Sequence, residues 1–400
     1  MTAPIQTTTA GSLPRTAALL EANRARTLSD DGFTFQPSGE HEAAVAAAVA
    51  DVVAKQREAG ITLVGDGEYG HTMRAAIDYG AWWTYSFQRY SGLELTDTDF
   101  FTPTPVLSSP GDVRLTAFLD RRDFTAFAEA YADPSAGIGT GEQATAFPTT
   151  TSAIAFTGQE QVAADIANLK AALQPGEQGF LTAISPGSAA RVGNQHYATD
   201  EEHIFAWADA VREEYTAITD AGLVVQIDDP SLAENFDQIR PEPSVEDYQR
   251  FTRIRIEALN HAIRDLPKEL VRLHLCWGSW HGPHTTDIEL RHILPVVLDA
   301  NVGSLSFEAA NVRHEHEWTV WGELGDAVPD DLVLAPGIVS HATNVVEHPD
   351  LVAQRIQRFV DVVGRDRVVA STDCGLGGRV HQQIAWAKLA SLGEGARRVR

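Results

Sequence analysis

The two cysteines of this 400-residue chain each close an apolar, β-like run, residues 270–276 and 368–374. His274 and Cys276 are two positions apart, so on a strand their side chains point the same way. A third β-like run, residues 304–308, ends in the carboxylate of Glu308. Together with Cys374, these residues offer two thiolates, an imidazole and a carboxylate. This is a ligand set that suits Zn²⁺.

Two simpler interpretations of the cysteines remain open. A buried cysteine often packs as a small hydrophobic residue, and two cysteines can form a disulfide in an oxidising compartment. The first residues, Met1 to Gln6, contain neither a basic segment nor the apolar segment of a signal peptide, and no run has transmembrane length. We therefore expect a cytoplasmic protein with reduced thiols. The shared position of the three segments, at the carboxyl ends of predicted strands, favours the metal site.

Composition and charge restrict the class of protein. With a mass of 43.4 kDa and 44% hydrophobic residues, the chain can bury a large core. Its net charge of −24 argues against nucleic acid or an anionic membrane as a partner. We expect small-molecule partners, while the sequence leaves the oligomeric state open.

The elements that must position these residues alternate between strand-like and helix-like patterns. Eight runs have strand character: residues 7–12, 62–68, 179–185, 223–228, 270–276, 304–308, 332–339 and 368–374. The segments between them include five with apolar residues at helical spacing: residues 40–59, 201–221, 245–265, 287–300 and 349–363. This alternation predicts an α/β fold, a (βα)₈ TIM barrel, whose catalytic groups come from the carboxyl ends of the strands.

One stretch is too long for a connection between barrel elements. We interpret residues 90–178, approximately, as an insertion after the second βα unit, with two further strand candidates at residues 112–118 and 151–157. No repeat or linker divides the chain. The prediction is therefore a single barrel domain over residues 1–400 that carries this insertion.

Six dispersed segments resemble the C-terminal catalytic barrel of the cobalamin-independent methionine synthase family. They are Thr7-Thr8-Thr9-Ala10-Gly11-Ser12-Leu13-Pro14-Arg15-Thr16, Asp66-Gly67-Glu68-Tyr69, Gln226-Ile227-Asp228-Asp229-Pro230, His274-Leu275-Cys276, Phe307-Glu308 and Asp373-Cys374-Gly375-Leu376. The resemblance implies zinc bound by His274, Cys276, Glu308 and Cys374, which would also be the catalytic centre. It further implies a thiol substrate whose amino-acid part is held by Gly11, Ser12, Glu68 and Asp228.

The ligand set explains the chemistry that this resemblance implies. Two thiolates and one carboxylate around Zn²⁺ sum to a charge of −1, so the metal would keep an incoming thiol as an electron-rich thiolate. A thiolate is the nucleophile that alkyl transfer needs. The resemblance suggests that the substrate sulfur displaces the weakest ligand, which we assign to Glu308. We expect an enzyme of methionine biosynthesis that transfers a methyl group to homocysteine.

Departures from the family leave the methyl donor open. The folate-dependent enzymes are about twice as long, and this chain has Ser185-Pro186-Gly187-Ser188 where they have a Gly-Pro-Val-Thr motif followed by a tryptophan. Single-barrel relatives include the epoxyalkane:coenzyme M transferases, which open an epoxide with a zinc-bound thiolate. Such an enzyme needs a cationic pocket, for which Arg15, Arg74 and Arg191 are candidates. Retention of Glu68 and Asp228 favours an amino-acid thiol.

Other interpretations concern the remaining conspicuous residues. A metal-free decarboxylase on the same barrel and a non-catalytic zinc-binding barrel are further alternatives, and the four ligands argue against the first. Five histidines resemble a second metal cluster, but none ends a predicted strand: His281, His284, His292, His314 and His316. For the last two of these, surface or supporting positions are the expectation.

Overall fold

A computed structural model describes residues 5–74, 81–96, 106–138 and 148–399. All eight predicted strand segments overlap a strand of its main sheet, although the first segment, residues 7–12, shares only Thr7 with it. The described residues form these strands: β1 Gln6–Thr7, β2 Val64–Gly65, β3 Tyr90–Glu94, β4 Thr149–Phe156, β5 Gly179–Ile184, β6 Gly193–Asn194, β7 Val224–Asp228, β8 Val271–Leu275, β9 Ser304–Phe307, β10 Val333–Val339 and β11 Val369–Thr372.

The main sheet contains eight parallel strands in the order β1-β11-β10-β9-β8-β7-β5-β2. Its two outer strands approach each other, because the Thr7 carbonyl accepts a hydrogen bond from the Leu63 N–H at 2.9 Å. The Thr8 hydroxyl donates to the Leu63 carbonyl at 3.0 Å. The sheet therefore curls on itself, which is consistent with the predicted TIM-type barrel.

Helices follow the strands along the chain. Their bounds are α1 Ala17–Arg24, α2 Gly39–Glu58, α3 Ala81–Gln88, α4 Arg122–Ala126, α5 Ala128–Ala132, α6 Gln159–Ala172, α7 Pro186–Ala189, α8 Asp200–Asp220, α9 Val245–Ile263, α10 Leu290–Val297, α11 Trp318–Leu324, α12 Pro349–Val363 and α13 Gln382–Arg398. All five predicted helices are present, although α10 is shorter than its predicted segment. None of the helices in the described ranges has the length and hydropathy of a membrane span.

Capping residues explain where the long helices begin. The side chains of Ser38, Thr199 and Ser244 each accept a hydrogen bond from a backbone N–H in the first turn of α2, α8 and α9. Acidic residues occupy the first turn of all three helices, where they interact favourably with the helix dipole. The strands β5, β7 and β8 are buried along their whole length, as expected for the core of a parallel sheet.

The long segment between β2 and β5 contributes β3 and β4 to a second sheet, whose third strand, β6, follows β5 in the chain. Of its two predicted strands, residues 151–157 lie largely within β4, whereas the strand at residues 112–118 is wrong. In that region Asp112 and Leu115 make only isolated bridges, to Ser109 and Ile239, and a 3₁₀ turn begins at Phe118. Residues 97–105 and 139–147 of the proposed insertion lie outside the described ranges, so its bounds and the single-domain assignment stay predictions.

The buried strands make a direct stability prediction. Leu273 in β8 has no exposed surface, so Leu273→Ala should lower the free energy of unfolding by about 2–5 kcal/mol through lost burial and a cavity. Leu107→Ala is the matched control, because Leu107 is 69% exposed and the same change there should cost less than about 0.5 kcal/mol. Urea unfolding measures both values. Equal losses for the two variants would contradict the burial of β8.

Candidate metal centre

Three of the four predicted metal ligands meet at the carboxyl ends of β8 and β11. The ligand atoms of His274, Cys276 and Cys374 all lie within 4.8 Å of one another. His274 is in β8, Cys276 follows it directly, and Cys374 lies two residues beyond β11. Because both strands run the same way, the loops that follow them are brought to the same rim of the sheet.

Hydrogen bonding fixes the orientation of the His274 ring. Its Nδ1 atom lies 3.0 Å from the Ser306 hydroxyl on the neighbouring strand β9, where Ser306 is the register partner of His274. Its buried Nε2 atom has no hydrogen-bond partner among the described residues. An imidazole held at one nitrogen, with the other free beside two thiols, is the arrangement that metal-binding histidines adopt.

The two sulfur atoms are close but not bonded. Cys276 Sγ and Cys374 Sγ are 3.8 Å apart, and both cysteines are free. The contact with Cys276 lowers the pKa of Cys374 well below its usual value, and the same contact together with burial raises the pKa of Cys276. The Cys374 thiol should therefore ionise before the Cys276 thiol in the protein without a metal.

Glu308, the fourth predicted ligand, is beside this group rather than within it. One carboxylate oxygen accepts from the Trp277 N–H at 3.1 Å, and the other accepts from the Asn311 side-chain amide at 3.0 Å. It groups instead with His341 and Asp373, whose ligand atoms and its own lie within 4.8 Å of one another. The structure thus separates the four predicted ligands into a group of three and one adjacent carboxylate.

The predicted substrate-binding residues of the first strand lie against the Cys374 loop. The Ser12 carbonyl accepts from the N–H groups of Leu376 and Gly377 at 2.8 and 2.9 Å. Gly11 has a φ of +117°, and a Cβ atom there would lie only 2.3 Å from a carboxylate oxygen of Glu68. Glycine at position 11 therefore lets the Glu68 carboxylate approach the backbone after β1.

Glu68 and Asp228 both lie at this rim and are buried. Burial alone would raise the pKa of Glu68. His71 lowers this pKa, because its ring lies 3.7 Å from the Glu68 carboxylate. Burial raises the pKa of Asp228 to about 8, and its neighbour Glu68 adds to this shift. The Gln226 side chain donates to Asp228 at 2.8 Å. The two carboxylates are thus close enough to repel each other, and a cation between them would relieve that repulsion.

The three candidate arginines are placed differently from one another. Arg15 is buried and donates to the Ser12 hydroxyl at 2.7 Å and to the Glu68 carbonyl. Arg74 lies at the surface over the Phe35 ring. Arg191 is buried beside Glu234, whose other oxygen binds the buried Arg121.

The five conspicuous histidines do not form a metal cluster in the structure. His314 is buried, which corrects the expectation of a surface position but agrees with a supporting one, whereas His316 is exposed. His314 and His284 share the Asp287 carboxylate, at 3.0 and 2.9 Å. His281 contacts the His341 carbonyl at 3.2 Å.

Two further residues of the rim were missed from the sequence. Burial raises the pKa of Asp373 to about 7, and its carboxylate accepts from the N–H groups of Ala309 and Ala310, each at 2.8 Å. His341 is buried two residues after β10. The strand-end rule that found the other residues would have found His341, since Ser340 and His341 follow the predicted strand at residues 332–339.

The fold and this site define an α/β protein with a curled parallel sheet of the TIM-barrel type and a thiol-rich candidate metal site at the carboxyl ends of its strands. The chain belongs to the family of cobalamin-independent synthases, because the model of that family's catalytic domain matches residues 178–397, more than half of the chain. The sequence-based family assignment is thereby confirmed.

Curated relatives come from two groups of enzymes. The chain is 27% identical over 229 residues to a 2-hydroxypropyl-CoM lyase of Xanthobacter autotrophicus, a match that covers 51% of this chain and 57% of that protein. It is 24% identical over 210 residues to a methionine synthase of Saccharolobus islandicus, with 52% of this chain and 54% of that protein covered. The chain thus matches little more than half the length of these curated relatives.

Solved structures show the same fold over nearly the full chain. A B12-independent methionine synthase from Shewanella sp. W3-18-1, solved with selenomethionine, superposes with a TM-score of 0.69 at 20% identity and covers 98% of this chain and 97% of that one. A methyltransferase from Methanosarcina mazei superposes with a TM-score of 0.51 at 12% identity, covering 98% and 94%. At these identities the likeness establishes the fold alone.

The buried histidines of the rim predict a pH-dependent stability. Burial disfavours the charged rings, but Asp287 and Glu317 raise the pKa of His314 to about 10, and Asp287 raises that of His284 to about 9. Their contribution to stability is therefore complete below about pH 6.5, the value in the unfolded chain, and is lost as pH rises through 9 and 10. The free energy of unfolding should fall over that range, and less so in His314→Gln. Urea unfolding at each pH measures this free energy for the two proteins. If its pH dependence is the same in both, the buried histidines are not its cause.

Proposed function

We propose that the protein transfers a methyl or alkyl group to a thiol substrate in a zinc-dependent reaction, with homocysteine as the acceptor. The observation that carries this proposal is the convergence of His274, Cys276 and Cys374 at the rim that also holds Glu68 and Asp228. Thiol activation and recognition of an amino group are thus available side by side. The matches to a methionine synthase and to a lyase of coenzyme M support thiol alkyl transfer as the reaction class.

The donor set fits zinc on three counts. Two sulfurs, each about 2.3 Å from a tetrahedral zinc ion, would be about 3.8 Å apart, and the two cysteine sulfurs are separated by 3.8 Å. The free Nε2 atom of His274 supplies a third donor. A bound zinc ion would supply a Lewis acid that keeps the substrate sulfur in its thiolate form. Neutral imidazole and thiolates suit zinc better than magnesium or calcium, which prefer oxygen.

Glu308 is suited to the role of the replaceable fourth ligand. Its two oxygens already accept hydrogen bonds from Trp277 and Asn311, so the carboxylate has a satisfied position away from the cysteines. A carboxylate with two such donors can leave a metal without becoming an unpaired buried charge. In our proposal Glu308 would be the ligand that gives way when a thiol substrate binds.

The amino group of the acceptor would bind between Glu68 and Asp228. An ammonium ion there would relieve the repulsion between the two carboxylates and form charge-assisted hydrogen bonds. Gly11 keeps the Glu68 side chain close to the first strand, and the Ser12 backbone ties that strand to the Cys374 loop. The amino-acid part of the substrate would therefore be held within reach of the sulfur-binding residues.

One cluster favours the second candidate, alkyl transfer to coenzyme M with opening of an epoxide. Arg121 and Arg191 share the single carboxylate of Glu234, so two cations face one anion in a buried position. A Cβ atom on Gly278, two residues after Cys276, would lie 3.1 Å from the Glu234 side chain. Two guanidinium groups near the loop that follows Cys276 would suit a sulfonate.

The remaining alternatives have weaker support. A metal-free decarboxylase has no use for two adjacent thiols and an imidazole, and a purely structural zinc site would have four permanent ligands. We propose a cytoplasmic location, since both thiols are free in the structure and need a reducing compartment to remain so.

The zinc proposal predicts a metal content near one per chain. Cys276→Ser, Cys374→Ser and His274→Gln should each lose most of the zinc, because each removes one of the three converging donors. His348→Gln is the control, since its side chain is 71% exposed and it should keep full zinc. Elemental analysis of the folded proteins gives the answer. Full zinc in both serine variants would refute the ligand assignment.

The identity of the thiol is tested through Glu68. Wild-type protein and Glu68→Gln are incubated without oxygen with homocysteine or coenzyme M, each paired with methyl donors or short epoxides, and the thioether products are quantified by mass spectrometry. Charge-assisted hydrogen bonds are worth about 1.5–3 kcal/mol, so Glu68→Gln should reduce homocysteine use by about tenfold or more while zinc stays bound.

The same assay distinguishes the two candidate functions. Glu58→Gln, at the exposed end of α2, is the control and should behave as the wild type. A sulfonate thiol should be used equally or better by Glu68→Gln, because a negative charge near an anion has been removed. If the wild type alkylates coenzyme M and Glu68→Gln handles homocysteine normally, the assignment changes to epoxide opening.

A further inference from the structure

Four buried ionisable side chains form a continuous chain beside the metal centre. His284 Nδ1 and His314 Nε2 lie 2.9 and 3.0 Å from the same Asp287 oxygen, and His314 Nδ1 lies 2.8 Å from Glu317. The side chains of all four are at most 6% exposed. We refer to these four residues as the imidazolium chain.

The hydrogen-bond geometry gives both rings a positive charge. A neutral imidazole has one donor and one acceptor nitrogen. Both nitrogens of His314 face carboxylates, and those of His284 face a carboxylate and, at 3.1 Å, the Trp280 carbonyl. Since ionised carboxylates and carbonyls only accept, each ring must donate from both nitrogens.

This chain supports the loop that follows Cys276. The His314 ring stacks on Trp277 with ring centres 4.1 Å apart, and the His284 ring stacks on Trp280 at 4.2 Å. The Trp277 indole N–H also donates to the Ile288 carbonyl at 2.8 Å. The position of Trp277, and with it the backbone next to Cys276, therefore depends on His314.

The same chain supports the loop that follows Glu308. The backbone N–H of His314 donates to the Asn311 carbonyl at 2.9 Å, and Asn311 in turn donates to Glu308. The Glu317 carboxylate also accepts from the Leu290 N–H at the start of α10. Glu308 thus receives one hydrogen bond from each loop, through Trp277 and Asn311, and the imidazolium chain joins those two loops.

We propose that His284, Asp287, His314 and Glu317 are positioning residues of the metal centre, and that their two fixed imidazolium ions hold Trp277 and Asn311 in the arrangement that orients the Glu308 carboxylate. The role in metal binding rests on the proposed function, whereas the charge of the rings does not. The imidazolium chain would thereby hold the Glu308 carboxylate next to the three converging donors, so that losing the chain would weaken metal binding.

The charge of the rings is tested directly by nuclear magnetic resonance. Protein labelled with ¹⁵N-histidine should show two rings with both nitrogens protonated at pH 8, and these signals should disappear in His284→Gln and His314→Gln, which assign them. In Asp287→Asn at least one of the two rings should become neutral, because the shared carboxylate is gone. A neutral ring at either position at pH 8 in the wild type would overturn the proposal.

The positioning role is tested by zinc affinity. Competition with a chelator of known affinity should show a loss of about 10–100-fold in His314→Gln, the range found when residues that support metal ligands are changed. His316→Gln is the matched control, because this histidine is in the same loop but exposed, and its affinity should equal that of the wild type. A folded His314→Gln protein that binds zinc as tightly as the wild type would refute the role.

A second variant covers the case in which His314→Gln does not fold. Glu317→Gln keeps an acceptor oxygen for His314 but removes the charge, and it should also weaken zinc binding, by severalfold. Unchanged affinity in folded Glu317→Gln would count against the proposal. If the wild type itself binds no zinc, the proposed function fails, and the ¹⁵N signals still decide whether the imidazolium pair exists.

Discussion

The direction shared by all eight strands of the main sheet is the constraint on which the rest of the structure depends. Because every strand pairs in parallel with its neighbours, every strand ends at the same rim. Residues that are far apart in the chain, such as Gly11, Asp228 and Cys374, are brought together only through this shared direction. The rim is also where backbone groups leave the hydrogen-bonded ladder, so its loops can hold buried polar side chains.

The electrostatics of the rim follow from this convergence. Several strand ends contribute an acidic group, and the resulting cluster is buried except for the partly exposed Cys374: Glu68, Asp228, Glu308, Asp373 and the two thiols. Without compensating charge, burial and mutual repulsion hold protons on some of these groups, as the raised pKa values of Asp228 and Asp373 indicate. Part of the compensation is built in, because Arg15 and the two imidazolium rings lie beside the cluster. The rest would come from a divalent metal and the ammonium group of a substrate.

The sequence predicted the strands well because parallel strands in a barrel core are continuous apolar runs with turn residues at both ends. It also led to the expectation that His274, Cys276 and Cys374 lie close together, and the structure brings these three residues together. It failed for residues 112–118, where apolar residues alternate but the backbone makes only isolated bridges and does not pair with a neighbouring strand. It could not predict that Glu308 stays apart from the other three groups, because that depends on the Trp277 backbone and Asn311.

The imidazolium chain shows the limit of pattern-based reasoning most clearly. His284, Asp287, His314 and Glu317 have no strand-end signature, since the first two belong to one loop and the last two to another. Their importance lies in the hydrogen bonds between the histidines and the carboxylates of the two loops. These contacts depend on how β8 and β9 are placed next to each other. Once that placement exists, a buried ring with acceptors at both nitrogens can only be charged, and a charged ring can only be buried if both acceptors stay in place. The two conditions reinforce each other. The charged rings therefore hold the two loops together more firmly than hydrogen bonds to a neutral ring could. The geometry of Glu308 depends on this contact between the loops.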